Sequence, residues 1–532
     1  MRSLPALLLL GVAAVAQPVS PVRMGAEWEP AIGTLIRWPL GIPSGLVVEL
    51  AEDDSLFILV ETQAQENQAR TTFAAWGVNL DHCRFIRAST YSHWTRDWGP
   101  HSVYDGNGEW GITDPVFTGY PWVPGCDGTG RGGIPDSVAV PRRGMRGYEE
   151  DDAVNGVLAG DFGCPLHELP AFLTGGNVMV DGHGTAFSTV QMLDENGMWW
   201  TEEQFRELAE AYIGAETYHF VSNPDIHGLQ HIDCWVKLLD EETLLVKSLP
   251  LGHPEYACIE AVVAELETVL SCYGRPYRIA RVFCGAYSGN STAAYTNSLI
   301  LNRKVLVPLF GIASDGPALE AYRAAMPGYE VIGFTSASWY YYDALHCRTM
   351  GILDRHMLRI GHRPYGDGIF EAAAYPIRVL IDDRSESGLL ADSLGIRWRV
   401  AGAGWSWLSL SPAGVDSFIA SIPGQPAGVT VEYFIVAADS SGRRETAPRT
   451  APAGLYRFTV VASLDDVTLT ASADSVSLAW SPVPGATSYR VYGSASSYAD
   501  FQLDPTGSFH DTVWSAPRPS APRFYRVTAV AP

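Results

Sequence analysis

Positive charge is what this sequence lacks most. Its 532 residues carry 36 Lys+Arg against 59 Asp+Glu, a formal net charge of −23. That excludes a basic groove for nucleic acid and favours cationic ligands such as guanidinium, amine or metal ions. Charge of either sign is sparse, 18% of residues against 47% hydrophobic, which excludes disorder and supplies at least one sizeable core. Eight cysteines are too few for a disulfide scaffold in so long a chain. Cys258 and Cys272 flank an amphipathic segment, and a helix of that length would hold them too far apart to bond. After the N-terminus no stretch reaches about 18 consecutive apolar residues, so no membrane span is expected. The apolar run from Leu4 to Val15 follows Arg2 and closes with Ala14-Val15-Ala16. It is too short to cross a bilayer and reads as a cleavable secretory signal over residues 1–16, which places the mature protein in the periplasm or outside the cell.

From about residue 25 to 375 the pattern alternates apolar strand-like runs with helical periodicity. Thr34 to Trp38, Ser55 to Glu61 and Cys83 to Ala88 read as strands, with a helix over Gln63 to Trp76. The same grammar recurs as strand Thr243 to Ser248, helix Glu255 to Leu270 and strand Tyr277 to Phe283. It returns as strands Ser298 to Leu301 and Val305 to Leu309, helix Pro317 to Met326 and strand Tyr329 to Phe334. Such repetition predicts an α/β domain with internal pseudosymmetry. After Tyr375 helical periodicity disappears and short alternating runs are separated by Gly, Pro, Ser and Asp, the pattern of β-sandwiches. Residues 376–460 resemble an immunoglobulin-like sandwich and residues 461–532 a fibronectin type III-like one, with Trp480 and Tyr489 as core aromatics. A cell-surface or protein partner is the expectation for these two modules.

Four short segments of the first domain carry chemistry: Trp94-Thr-Arg-Asp97-Trp-Gly-Pro100, Thr174-Gly-Gly-Asn177, His231-Ile-Asp233-Cys-Trp235 and Asp343-Ala-Leu-His-Cys347-Arg-Thr349. Singly, each has a plain structural explanation. Asp97 beside Gly-Pro is a turn former, and Gly175-Gly176 a tight turn before a strand that starts at Asn177, without the Lys-Ser/Thr of a phosphate loop. His231 and Asp233 would share one face of a strand, and Cys347 would be a small buried hydrophobe. Together, a thiol, an imidazole and two carboxylates are the parts needed to bind a planar guanidinium through its N–H fork, attack its carbon and move protons.

In this order the segments resemble the guanidino-group-modifying enzymes, specifically the bacterial peptidylarginine deiminase and agmatine deiminase branch. His231 to Trp235, Tyr295-Thr-Asn297-Ser-Leu-Ile-Leu-Asn302 and Asp343 to Thr349 are closer to the peptidylarginine deiminase wording. The resemblance implies a five-bladed pseudosymmetric α/β propeller over residues 17–375 with the site in its centre. It further implies Cys347 as nucleophile, His231 as general acid and base, and Asp97 and Asp233 as guanidinium clamps. Trp94 would pack on the substrate, Asn297 would line the site, and Asn177 is a further candidate contact, more naturally a support of the channel wall. No metal and no cofactor are implied.

The substrate remains open. Relatives that prefer C-terminal arginine carry closely spaced arginines after the Asp-x-Gly-Pro segment, whereas Val116 to Gly130 contains none and Arg131 is the first. Internal peptidyl arginine, free arginine and agmatine are therefore the candidates, with export favouring a peptide. Two other classes compete: a metal-dependent hydrolase using His231 and Asp233, and a non-enzymatic adhesion or binding protein.

Overall fold

The computed structural model describes residues 17–120, 123, 124, 126, 148–366, 368–464, 466–483, 486–495 and 501–530. The secretory-signal expectation for residues 1–16 falls outside them. The chain divides into two units, residues 1–355 and 356–532.

The first unit is built from small mixed sheets with a shared plan, in which an antiparallel pair is extended by a strand that returns parallel after a helical crossover. Val236–Asp240 pairs antiparallel with Thr243–Ser248, which pairs parallel with Arg278–Phe283 after the helix Tyr256–Leu266. Leu299–Leu301, Lys304–Leu309 and Glu330–Thr335 repeat the arrangement around the helix Asp315–Ala325. So do Met179–Val180, Thr185–Thr189 and Thr217–Val221. Two four-stranded sheets follow the same rule, one formed by Arg23–Met24, His101–Tyr104, Trp110–Val116 and Leu166–Phe172. The other joins Met350–Leu353 to Ala31–Arg37, Ser55–Val60 and Cys83–Arg87.

Local chemistry fixes these elements. The helix Gln63–Trp76 starts where Thr62 accepts from the Gln65 N–H and stops at Gly77, whose φ of 79° few other residues adopt. It buries only Ala69 and Phe73, one turn apart, against the apolar core that also holds Leu299, Leu301, Ala344 and Leu345. A second core gathers Phe187, Ile232, Trp235, Val236 and the helix face Ile259, Val262 and Leu266.

The second unit begins about twenty residues earlier than the composition change at Tyr375 suggested. Leu358–Gly361 already pairs with Ala374–Asp383, and Gly368–Phe370 with Tyr456–Val461. Ala374–Asp383 alternates as a half-buried strand should, with Tyr375, Ile377, Val379 and Ile381 inward. The remaining strands complete a sandwich packed around Tyr433 and Phe458. Beyond it, Thr468–Ala471, Ser475–Ala479 and Val513–Pro517 form one sheet, and Gln502–Phe509, Ser488–Ser494 and Phe524–Val530 another. Trp480 and Tyr489 lie in that last core with ring centroids 5.4 Å apart, as the sequence reading expected.

Candidate active site

Four turns converge in the first unit. The short helix Thr95–Trp98 carries Asp97, the single turn Gly175–Asn177 carries the glycine pair, Ile232–Cys234 carries Asp233 with His231 immediately before it, and His346–Arg348 carries Cys347. Ile232, Trp235 and Val236 are locked into one core and Ala344 and Leu345 into the other, so the reactive side chains stand on well-packed footings. Gly176 marks their meeting point. A Cβ there would stand 2.5 Å from Asp97 Oδ1, 2.9 Å from His231 Nδ1 and 3.3 Å from Asp233 Oδ2, so the position admits no side chain. At Gly175 the obstruction would be the Arg96 carbonyl, 2.1 Å away.

His231 and Asp233 do not alternate on a strand as expected. Gln230 adopts a left-handed φ of 58°, which ends the extended backbone, and the next residues close a tight turn. Asn177 holds that turn, because its Oδ1 accepts from the backbone N–H of Ile232 (3.1 Å) and of Thr189 (3.1 Å). It lies in the turn Gly175–Asn177 instead of opening the strand. The structure thus gives Asn177 a positioning task, with only its Nδ2 left unengaged.

Asp97 Oδ1 accepts from Gly176 N (3.1 Å) and lies 3.8 Å from His231 Nδ1, while Oδ2 accepts from the Tyr120 hydroxyl (2.7 Å). Asp233 Oδ2 accepts from His346 Nδ1 (2.7 Å) and lies 3.8 Å from Cys347 Sγ. Asn297 donates from Nδ2 to Cys347 Sγ (3.1 Å), and its Oδ1 accepts from the N–H of Ala344 and of Cys347, both at 3.2 Å. Asn297 therefore lines the site as expected, and it does so against the nucleophile.

All four reactive groups are buried, and their protonation follows. Burial and then the facing Asp233 push the Asp97 carboxyl well above the usual range. For Asp233 burial is also the largest influence, but the hydrogen bond and charge of His346, helped by His231 and Lys237, outweigh it and hold the group below its usual range. Burial drives His231 down to about 4, with Asp233 offsetting part of the effect, so its approach to Asp97 is not an ion pair at neutral pH. Burial, then Asp233, Asp97 and Asp343, push the Cys347 thiol well up. Without substrate the site holds a thiol, a neutral imidazole and two carboxyl groups. A cation placed against Asp97 and Cys347 would favour the ionised form of each.

Trp94 meets Tyr120 edge-on at 5.1 Å, and the Tyr120 ring lies 6.0 Å from that of His231. Trp94 also borders a cleft of about 410 Å³, together with Tyr340, Tyr342, Asp343 and Arg348. The Tyr342 carbonyl is 3.9 Å from Cys347 Sγ, which brings the cleft wall to the nucleophile. Asp343 and Arg348 form a buried bidentate pair at 2.8 and 2.6 Å, and Arg348 donates further to Gly41 O and to Ser338.

Several functional residues escaped the sequence reading. Tyr120 lies within Val116 to Gly130, where no motif marks it. His346 sits beside Cys347 in the segment Asp343 to Thr349, yet nothing in the spacing shows that it reaches Asp233. Glu27, which accepts from His346 Nε2 at 2.7 Å, precedes the first expected strand and had no signal at all.

Residues 23–352 match the model of the Porphyromonas-type peptidyl-arginine deiminases. The agmatine deiminase of Stutzerimonas stutzeri is 25% identical over 349 residues, which cover 58% of this chain and 89% of that protein. Among solved structures, the agmatine deiminase of Enterococcus faecalis superposes with a TM-score of 0.52 at 19% identity, covering 63% of this chain and 96% of that one. A candidate peptidyl-arginine deiminase gives 0.51 at 21% identity, with 63% and 100% covered.

Proposed function

The chain belongs to the Porphyromonas-type peptidyl-arginine deiminase family, and from that membership we propose that it deiminates arginine within peptides to citrulline, releasing ammonia, outside the cytoplasm. The observation that carries the substrate is the state of the cleft. Among the described residues its one carboxylate, Asp343, and its one guanidinium, Arg348, neutralise each other in a buried bidentate pair. Agmatine would present a free ammonium to this cleft and C-terminal arginine a free carboxylate, and among the described residues of its lining neither meets an unpaired partner. An uncharged main chain on either side of an arginine suits walls of Trp94, Tyr340 and Tyr342. Export is supported by the disulfide between Cys126 and Cys258, whose Cα atoms are 6.1 Å apart, since such bonds persist in oxidising compartments. The shared pairing plan of the five sheets supports their reading as five blades around the site.

The chemistry follows from the protonation states. A guanidinium held by Asp97 and Asp233 brings a positive charge into the site, favouring ionisation of both Asp97 and Cys347. The thiol proton passes to neutral His231, the thiolate forms a bond to the guanidinium carbon, and His231 hands the proton to the departing ammonia. A covalent thiouronium remains. His231 then takes a proton from water as the oxygen adds to the same carbon, and returns it to sulfur as the C–S bond breaks; the remaining hydroxyl proton of the product passes to the released ammonia or to water, leaving a neutral ureido group. The two carboxylates bind the charge throughout, and the low-dielectric setting strengthens their hold.

Agmatine is the second reading, favoured by the activities named for the relatives. The test is ureido formation from an internal-arginine peptide, agmatine and free arginine, with wild type and Cys347→Ala. Peptide turnover by wild type alone is the expected result, and a preference for agmatine would move the substrate assignment.

A further inference from the structure

Behind Asp233 runs a line of charges that the chemistry above does not use. His346 Nδ1 lies 2.7 Å from Asp233 Oδ2, and Nε2 lies 2.7 Å from Glu27 Oε2. Carboxylates only accept, so both ring nitrogens donate and the ring carries two protons. Glu27 is engaged on its other oxygen as well, where Oε1 accepts from Lys237 Nζ (2.6 Å) and from the backbone N–H of Ile300 (2.7 Å). Arg96 Nη2 stands 3.5 Å from Glu27 Oε2. These groups border a chamber of about 70 Å³, room for a few waters.

We propose that Glu27 is a positioning residue of the deiminase site: it fixes His346 as a doubly protonated ring between two carboxylates, which aims Asp233 at the substrate and anchors the turn carrying Cys347. The inference rests on the deiminase reading and deepens it. Asp233 Oδ2, the oxygen that accepts from His346, is also the one 3.8 Å from Cys347 Sγ, while Oδ1 lies 3.5 Å from Cys234 Sγ, so the bond to His346 fixes which edge of the carboxylate turns toward the nucleophile. His346 immediately precedes the nucleophile, and its backbone N–H donates to Asn297 O at 3.0 Å, so ring and turn are set as one piece. Lys237 and Arg96 balance the Glu27 charge, since burial alone would push that carboxyl up and these two with His346 bring it well down.

Glu27→Gln separates this role from mere support. Oε1 must still accept from Lys237 and Ile300, so the new amide nitrogen points at His346 Nε2, which then has to give up its proton. The groups facing Asp233 are His346, Cys347, Cys234 at 3.5 Å, His231, Lys237 and Asp97. With the imidazolium charge gone, the Asp97–Asp233 pair ionises less readily, and the acid limb of the kcat/KM profile, which that pair sets jointly, moves up by about one pH unit. The expected fall in kcat/KM at neutral pH is on the order of 10- to 100-fold. Glu29→Gln is the control, because Glu29 pairs with Arg23 outside the site, and it should lose stability without moving the limb.

The assay uses whichever of the three substrates wild type turns over best. Silence of wild type itself would count against the deiminase reading; an active wild type with an unmoved limb in Glu27→Gln overturns this proposal alone. If Glu27→Gln does not fold, ¹⁵N-histidine spectra of wild type decide. One ring protonated on both nitrogens at neutral pH, and missing in His346→Gln, supports the proposal. No such ring overturns it.

Discussion

The side-chain amide of Asn297 faces Cys347 with both ends: Nδ2 donates to the sulfur at 3.1 Å, and Oδ1 accepts the backbone N–H of the same residue at 3.2 Å. One residue therefore places the nucleophile and favours its anion. Asn297→Asp preserves the backbone acceptor but sets a negative charge against the sulfur. A hydrogen bond to a charged group contributes about 1.5–3 kcal/mol, so kcat should fall on the order of 10- to 100-fold with KM little changed. Alkylation by iodoacetamide should slow in parallel, and an unchanged alkylation rate would remove the claim that Asn297 supports the thiolate.

Tyr120 gives Asp97 one of its two hydrogen bonds, and that bond opposes the upward push of burial on the carboxyl. Tyr120→Phe keeps the ring against Trp94 and removes only the hydroxyl. Asp97 should then hold its proton to higher pH, shifting the acid limb of kcat/KM upward, with activity recovering as the pH is raised. A uniform loss at every pH would point instead to a packing role for the ring.

The disulfide from Cys126 to Cys258 spans 132 residues of sequence and ties the segment after Tyr120 to the helix Tyr256–Leu266. That segment is also pinned where Cys126 N donates to Asp225 O at 2.8 Å and where Val123–Pro124 pairs with His227–Gly228, three residues before His231. Opening the bond in Cys126→Ser/Cys258→Ser should cost about 3–5 kcal/mol of stability and raise KM through looser placement of Tyr120. Denaturant midpoints and KM for the double variant check both. A drop in stability with KM unchanged would confine the bond to a structural role.

Much of this was legible in the sequence where local chemistry decides. The helix Gln63–Trp76 and the strand Thr243–Ser248 appear at the residues expected, because a threonine cap, a glycine stop and the apolar run Leu244-Leu245-Val246 act on neighbouring residues. The convergence of Asp97, His231, Asp233 and Cys347 came from motif order and resemblance, since no local pattern brings residues 250 positions apart into contact. Glu27 was invisible for the same reason: its meaning lies in His346, 319 residues away. The strand expected at His231 gave way to a turn because Asn177, from the turn Gly175–Asn177, supplies the hydrogen bond that a strand neighbour would have supplied. Likewise Leu358–Gly361 is too short to show periodicity, and only its partner Ala374–Asp383 makes it a strand.

Buried histidines set a further, independent prediction. Burial lowers both His101 and His231 to about 4. A histidine whose folded pKa lies below its unfolded value binds its proton first in the unfolded chain. Its contribution is thus complete above about pH 6.5 and is lost as the pH falls toward 4, on the order of 3 kcal/mol for each ring. Burial acts the opposite way on Asp114 and Glu195, both raised to about 7; their protonated folded forms favour the native state as the pH drops, so the total profile mixes both signs. His101→Gln isolates one contribution, because the amide can still donate to Leu173 O, as the ring now does at 3.2 Å, without titrating. Between about pH 7 and 5 the difference in unfolding free energy between wild type and His101→Gln should change by about 2 kcal/mol, wild type losing more toward acid. Urea unfolding at the two pH values measures it, and a constant difference would mean that His101 is already charged in the folded protein or reaches solvent before unfolding.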